Sequence, residues 1–343
     1  MRKVKWGIIG CGGIANRRTL PGMMLANNAE PVAVMDANLQ VAEQVREKYG
    51  AKYAFDNYEE LLKLPEIEAV YIASPVFAHK EQAFAAAKAK KHILLEKPLG
   101  LTLEESLEII DVCDKEGVKL GVGLMMRYHS YHQEIKRLIA EGAIGEVVSM
   151  RAQFTCWYPK IENAWRQDKN LSGGGALMDM GIHAIDLLQY ISGLEAVECT
   201  GFAYNQTFGY SADDSSSVIM KMNNGALAYV DSNFNVPDAA AKCPLEFYGT
   251  KGSITAVGTL GQSERGTVEL ISADDGSGYD ANQNRGEMKS KTITVEFGNM
   301  YTKEIEAFSN AVINDTEPPT NGKNTIISQR IIDAIYKNNG GKL

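Results

Sequence analysis

Asp179 and His183 lie four residues apart in the stretch GGGALMDMGIHAID at 173–186. At that spacing a helix puts a carboxylate and an imidazole on one face. Such a pair could supply two ligands to a metal, form a polar contact inside a core, or do catalysis. A zinc site needs at least a third ligand, and none stands out. His129 and His132 form H-x-x-H between a strand end and a polar helix start, where exposed helix histidines are the expectation. The catalytic use is therefore preferred. An ionised Asp179 fixes the tautomer of His183, and the imidazole accepts a hydrogen bond from a substrate hydroxyl. Three glycines at 173–175 would let backbone and ligand approach closely.

A second constellation is Gly10-Cys11-Gly12-Gly13-Ile14-Ala15, a G-x-G-x-x-A that follows the apolar run VKWGII. Gly10 allows a tight turn, Gly12 lets backbone approach a pyrophosphate, and the small third position permits close helix–strand packing. Asp36 ends the next strand, where ribose recognition needs a carboxylate. A dinucleotide site is the expectation. Asp36 would accept from both ribose hydroxyls and repel a 2′-phosphate, and Ala37-Asn38-Leu39 offer no cation to receive one. NAD is expected over NADP, which stays the alternative.

The third candidate is Lys97, at the end of the apolar run HILLE and before Pro98. Ligands of open α/β sheets bind at the carboxyl ends of strands. A lysine there, partly desolvated and near a nicotinamide's positive charge, would have a lowered pKa and exchange a proton with a substrate hydroxyl.

The elements that must position these groups follow two rhythms. VKWGII, PVAVM, EAVYIAS, HILLE and VKLGVGL read as buried parallel strands, separated by helical segments such as LQVAEQVREKYG and LEESLEIIDVCDKEG. Thr102 followed by Glu105 signals a capped helix start, and Gly117 its end. After about residue 125, β-like runs from VECTGFAY to KTITVEF dominate, punctuated by turn signals, and helices are expected around 302–314 and 324–338. Residues 273–290 read as a polar loop. The fold class is α/β: a Rossmann doubly wound parallel sheet at 1–123, then an α+β domain at 124–343 with a large, mostly antiparallel open sheet.

Bulk properties narrow the function. The chain has 343 residues, 45% hydrophobic and 23% charged, with a net charge of -8 and scattered basic residues. That balance argues against nucleic-acid and anionic-membrane partners. No run is long enough to span a bilayer. The start MRKVKWGIIGCGGIAN resembles a signal peptide only superficially, since four glycines break a short apolar run. Five dispersed cysteines without C-x-x-C fit a reducing cytosol, so a cytoplasmic protein is expected.

GCGGIA, SPVFAHKEQAFAAAKAKKHILLEKP, Trp165-Arg166 and GGGALMDMGIHAIDLL together resemble the Gfo/Idh/MocA oxidoreductase family, over essentially the whole chain. The resemblance implies a cofactor site built from Gly10, Gly12, Gly13, Ile14 and Asp36, with Ser74, Pro75 and His79 contacting the cofactor and Glu96 on its side. Val76 stands where an asparagine is common, which removes one polar contact. Lys97 would be the catalytic lysine, often before a cis proline. Arg127 would face the nicotinamide region, and Arg166, beside Trp165, would reach the cofactor or its phosphates. For both arginines an interdomain salt bridge is the competing reading. Asp179 and His183 match the substrate-site D-x-x-x-H, and whether Lys97 or His183 takes the proton varies among relatives.

The implied activity is NAD(P)-dependent hydride transfer on a secondary alcohol or ketone of a sugar, inositol or related polyol. Lys97, Arg127, Tyr158, Trp165, Arg166, Asp179 and His183 suit a hydroxyl-rich small molecule. Relatives assemble through the open sheet, so a homo-oligomer, dimer or tetramer, is expected. Two alternatives stand beside this. One is a reductase of a non-sugar diol or carbonyl. The other is a dinucleotide-sensing regulator, which would tend to lose the catalytic set that this chain retains.

Overall fold

Short apolar strands alternate with amphipathic helices through the first third of the chain, and strand meanders dominate afterwards. The computed structural model describes residues 2–273, 281–282, 288–337 and 341–342. Along the chain run β1 (Val4–Ile9), α1 (Leu20–Leu25), β2 (Ala29–Met35), α2 (Leu39–Tyr49), β3 (Tyr53–Phe55), α3 (Tyr58–Leu62), β4 (Ala69–Ile72), α4 (His79–Lys88), β5 (His92–Glu96), α5 (Leu103–Glu116) and β6 (Leu120–Gly123). Then come α6 (Ser130–Ala140), β7 (Val147–Thr155), α7 (Lys169–Ser172), α8 (Ile182–Ser192), β8 (Ala196–Tyr204), β9 (Ser215–Met222) and β10 (Leu227–Asn233). β11 (Pro244–Gly249), β12 (Gly252–Val257), β13 (Thr267–Ala273), β14 (Met288–Ile293), α9 (Met300–Asn314), α10 (Gly322–Tyr336) and β15 (Gly341–Lys342) complete the described elements.

The chain divides into two compact units. The first gathers residues 1–125, 162–175 and 299–329, and the second gathers 126–161, 176–298 and 330–343. The division is thus not a single cut near residue 123. Two later segments fold with the first unit, and one of them brings α9 to cover its sheet. From α9, Ile305 and Phe308 join the core of Trp6, Ile8 and Leu94. Phe308 lies 5.3 Å from the Trp6 ring, and Trp6 Nε1 donates to Ser309 Oγ at 3.2 Å.

The sheet of the first unit has order β3-β2-β1-β4-β5-β6 with every pairing parallel. Its strands are apolar on both faces, as a sheet covered by helices on both sides requires; Ile8, Ile9, Val70, Ile72, Ile93 and Leu94 are fully buried. β3 is an edge strand of three residues, too short to show a period in the sequence. Thr102 caps α5 by accepting from Glu105 N at 3.2 Å, and Glu105 returns the contact through Leu101 N at 2.9 Å. The order reverses between β1 and β4, and ligands of this fold bind at that switch.

The second unit carries a nine-stranded sheet, β14-β13-β12-β11-β7-β10-β9-β8-β15, antiparallel except where β7 meets β10. α8 packs on β7, and α6 packs against α8. The opposite face is open and exposes Phe202, Tyr204, Ile219 and Leu227. Of the polar stretch at 273–290, residues 274–280 and 283–287 lie outside the described residues, while its flanks pair as β13 and β14.

Candidate active site

In the first unit the glycine motif makes the tight turn that its spacing implies. Gly10 has φ +79°, and a Cβ there would lie 2.6 Å from Ser74 N, so only glycine fits between the β1 turn and the segment after β4. Gly12 N donates to Asp36 Oδ2 at 3.1 Å, and Asn38 N donates to Asp36 Oδ1 at 3.1 Å. These two bonds hold the carboxylate rigidly and leave lone pairs for further donors. Gly13 is exposed, and a Cβ built on it meets nothing within 4 Å. Ile14 follows and leads into a π-helical turn, Ala15–Thr19, before α1. Open space at the mouth of a helix start, beside an anchored carboxylate, fits a pyrophosphate and a ribose diol.

Ser74 and Pro75 follow β4, and His79 opens α4. His79 is 1% exposed, with Nδ1 2.9 Å from Pro98 O and Nε2 2.9 Å from Ser74 O. It clasps the loop after β4 to the loop after β5, which contains the cis Lys97–Pro98 bond. Burial pushes the His79 pKa down. Its contacts are those of a brace, consistent with shaping the site.

Glu96 closes β5, and its Oε1 accepts from the Tyr71 hydroxyl. Lys97 N lies 3.3 Å from Glu96 Oε2, and the charges of Lys97 and Arg166 both reach the Glu96 carboxyl. Arg166 is exposed and stacks 4.3 Å over the Trp165 ring. Ser74, His79, Glu96, Lys97, Trp165 and Arg166 therefore all belong to the first unit, with the glycine turn.

In the second unit Asp179 sits in a π-helical turn, Leu177–Gly181, which runs directly into α8 with His183. π-turns inserted at a helix start are frequent at functional sites. Asp213 fixes this start: its carbonyl accepts from Ala176 N at 2.9 Å, and its Oδ2 accepts from Leu177 N at 2.9 Å. Tyr336 Oη donates to Asp213 Oδ1 at 2.7 Å. Asp179 is half-buried and His183 is 5% exposed, with the Phe154 ring 6.2 Å from the imidazole. Cys156, at the end of β7, feels the Asp179 charge, and burial pushes its thiol up to about 12. Tyr158 is half-buried, its ring 5.1 Å from Phe234.

Three expectations change on inspection. Arg127 belongs to the second unit, is 7% exposed, and forms a two-pronged pair with Asp186, Nε to Oδ2 at 2.8 Å and Nη2 to Oδ1 at 2.6 Å. That salt bridge lies inside one unit, and its geometry accounts for the arginine's burial without any ligand. Asp186 is the functional neighbour that the sequence reading missed; its signal is that it is the one acidic residue of α8. His129 and His132 are not exposed helix residues. Both are fully buried and stacked at 4.6 Å, with His132 against Met126 O and Thr259 Oγ1 and burial pushing it down to about 3. Gly173, finally, makes room for chain rather than ligand: it caps α7 at φ +75°, and a Cβ there would lie 2.5 Å from Leu101 O. Among the described residues, no group of three or more His, Cys, Asp or Glu has metal-holding geometry.

A chain that holds both a doubly wound unit with a glycine turn and an anchored Asp36 and an antiparallel-sheet unit with Asp179 and His183 at a helix start has the features of the class of two-domain dinucleotide-dependent oxidoreductases. Residues 4–124 match the oxidoreductase family with an NAD-binding Rossmann fold, and residues 132–255 match the GFO/IDH/MocA C-terminal domain. The chain belongs to the Gfo/Idh/MocA oxidoreductase family. It is 27% identical to the 1,5-anhydro-D-fructose reductase of Ensifer adhaerens over 97% of this chain and 95% of that protein. It is 29% identical to the D-xylose 1-dehydrogenase (NADP(+)) 2 of Haloferax volcanii, covering 97% of this chain and 96% of that one. Among solved structures, the aldose-aldose oxidoreductase from Caulobacter crescentus, complexed with glycerol, shares the fold with a TM-score of 0.88 at 23% identity, each chain covered completely. No described helix is long and apolar enough to cross a membrane.

Proposed function

We propose that this oxidoreductase oxidises or reduces a secondary alcohol or ketone on a sugar, inositol or related polyol, with NAD as the preferred cofactor. The observation that carries the reading is the retention of the whole proton-handling set: Lys97 at the end of β5, and Asp179 with His183 at the start of α8. The sugar-acting relatives named above support the substrate class. Asp36, anchored by two backbone N–H groups and followed by no cation at 37–39, supports NAD over NADP.

When bound, the nicotinamide supplies the hydride acceptor or donor. Gly13 would leave room for the pyrophosphate, and Asp36 would hold the ribose hydroxyls. His79 braces the Ser74 and Pro98 loops that shape the pocket. Asp179 orients His183, and either His183 or Lys97 takes the hydroxyl proton while the other holds the hydroxyl in place. Tyr158 would meet the substrate, and Trp165 and Arg166 the cofactor. Arg127, engaged with Asp186, is assigned to holding α8 and thus His183.

The apolar side chains on the open sheet face support self-association into a dimer or tetramer. The five cysteines, dispersed along the chain without a C-x-x-C, support a reducing, cytoplasmic setting. The test is reduction of NAD⁺ and of NADP⁺ by the purified protein across a panel of sugars, inositols and glycosides. Turnover with at least one, faster with NAD⁺, is expected. Cofactor binding without turnover on any would favour the sensing regulator instead.

A further inference from the structure

Next to Lys97 the first unit gathers two acids and two phenols into one cluster. Glu96 keeps part of its surface accessible. Its Oε1 accepts from Tyr71, and the Tyr71 oxygen accepts from Thr19 Oγ1 at 2.9 Å. Glu304, on α9, is 1% exposed, and its Oε1 has no hydrogen-bond partner among the described residues. Tyr301, one turn earlier, is 3% exposed with its hydroxyl in the same condition.

Both carboxyl groups flank one two-residue segment at the end of β6. A Cβ on Gly123 would lie 3.0 Å from Glu96 Cδ, and the next N–H, of Leu124, is the backbone donor that faces Glu304. The glycine is what lets the Glu96 carboxyl fit there.

Two ionised carboxylates cannot share a buried site cheaply, because burial and their mutual repulsion both favour a proton on one of them. The surroundings are unequal. Glu96 has the Tyr71 hydroxyl, the Lys97 N–H and the charges of Lys97 and Arg166. Glu304 has the Leu124 N–H and the Glu96 charge. The other charged groups reaching the cluster, Arg17 and Arg18, act on Tyr301.

We propose that Glu96 and Glu304 hold one proton between them, carried by Glu304, and that Glu304 is a positioning residue that keeps a single negative charge, on Glu96, beside Lys97. In support, burial and the Glu96 charge push the Glu304 carboxyl well above the ordinary range, while burial pushes Glu96 up against the opposing Tyr71 hydrogen bond and Lys97 charge. The shared proton stands on the cluster's geometry. Its use, setting the charge that Lys97 experiences when it exchanges a proton, rests on the function proposed above.

Infrared difference spectroscopy on the cofactor-free full chain tests the proton directly. At neutral pH the wild-type protein should show a protonated-carboxyl band that is missing in Glu304→Gln. In Glu96→Gln the band should persist but disappear at a pH lower by about one unit or more, because the neighbouring charge is gone. Absence of the band in the wild type, its survival in Glu304→Gln, or an unchanged midpoint in Glu96→Gln would overturn the proposal. Should Glu304→Gln fail to fold, the wild-type and Glu96→Gln titrations decide it alone. No substrate or cofactor is present in this measurement, so a silent sugar panel would strike the proposed function and leave the shared proton standing.

Discussion

Two helix starts, one in each unit, carry groups proposed for the site, and they are built differently. Each follows a glycine-bearing segment and opens with a π-helical turn, Ala15–Thr19 in the first unit and Leu177–Gly181 in the second. At the first, the useful groups are backbone and empty space: Gly10 for the turn, Gly13 for the opening, and Asp36 held by Gly12 N. At the second, the proposed groups are side chains, Asp179 and His183, on a helix start whose first backbone N–H groups, of Ala176 and Leu177, are bound by Asp213. A site made of absent side chains advertises itself as a glycine spacing. One made of present side chains needs its neighbours before its role is defined.

The largest effect should fall on the side-chain site. Lys97→Ala and His183→Ala are each expected to lower turnover by about 10²–10⁴, the range for general acid–base groups, with cofactor affinity little changed. Steady-state kinetics on any active sugar would show it, and near-normal turnover in either variant would remove that residue from the chemistry.

Stability should separate the two starts next. Asp186→Asn leaves the Arg127 guanidinium buried without its carboxylate, at a cost of about 3–5 kcal/mol in denaturant unfolding. A loss under 1 kcal/mol would mean that the pair does not anchor α8. Within the glycine turn the contrast is between neighbours. Gly10→Ala combines a left-handed φ with a clash against backbone, so a loss of about 3 kcal/mol is expected. Gly13→Ala should leave stability within about 0.5 kcal/mol and weaken NAD binding instead, by about tenfold, since its Cβ would fill the opening. Equal stability losses at Gly10 and Gly13 would erase the distinction.

The smallest expected change is a shift of preference rather than a loss. Replacing Asp36 with Ser and Ala37 with Arg removes the carboxylate that would repel a 2′-phosphate and adds a cation to receive it. The NADP-to-NAD ratio of kcat/KM should rise by about tenfold or more. An unmoved ratio would take Asp36 out of ribose recognition.

Much of this was legible in the amino-acid order, and the gaps have physical causes. The parallel sheet, its glycine turn and Asp36 follow from local patterns: apolar runs, a spacing and a capped helix. β3 escaped because three residues carry no period. The return of α9 to the first unit escaped because Phe308 meets Trp6 across some three hundred residues, and no local pattern encodes that. The same holds for Asp213 beneath Leu177 and for Glu304, whose meaning lies in its burial near Glu96. Arg127 shows the converse. Its family position suggested a ligand contact, whereas its two short bonds to Asp186 explain it without one.

In the proposed reaction hydride passes between a sugar carbinol carbon and the cofactor, with the proton handled by Lys97 and His183. The direct measurement is mass spectrometry of the cofactor after turnover of a sugar deuterated at the reacting carbon. Deuterium should appear in the reduced nicotinamide with the wild-type protein and fall to background in the Lys97→Ala, His183→Ala double variant. Bound cofactor that acquires no deuterium from any active-panel sugar, or equal labelling in the double variant, would contradict the account.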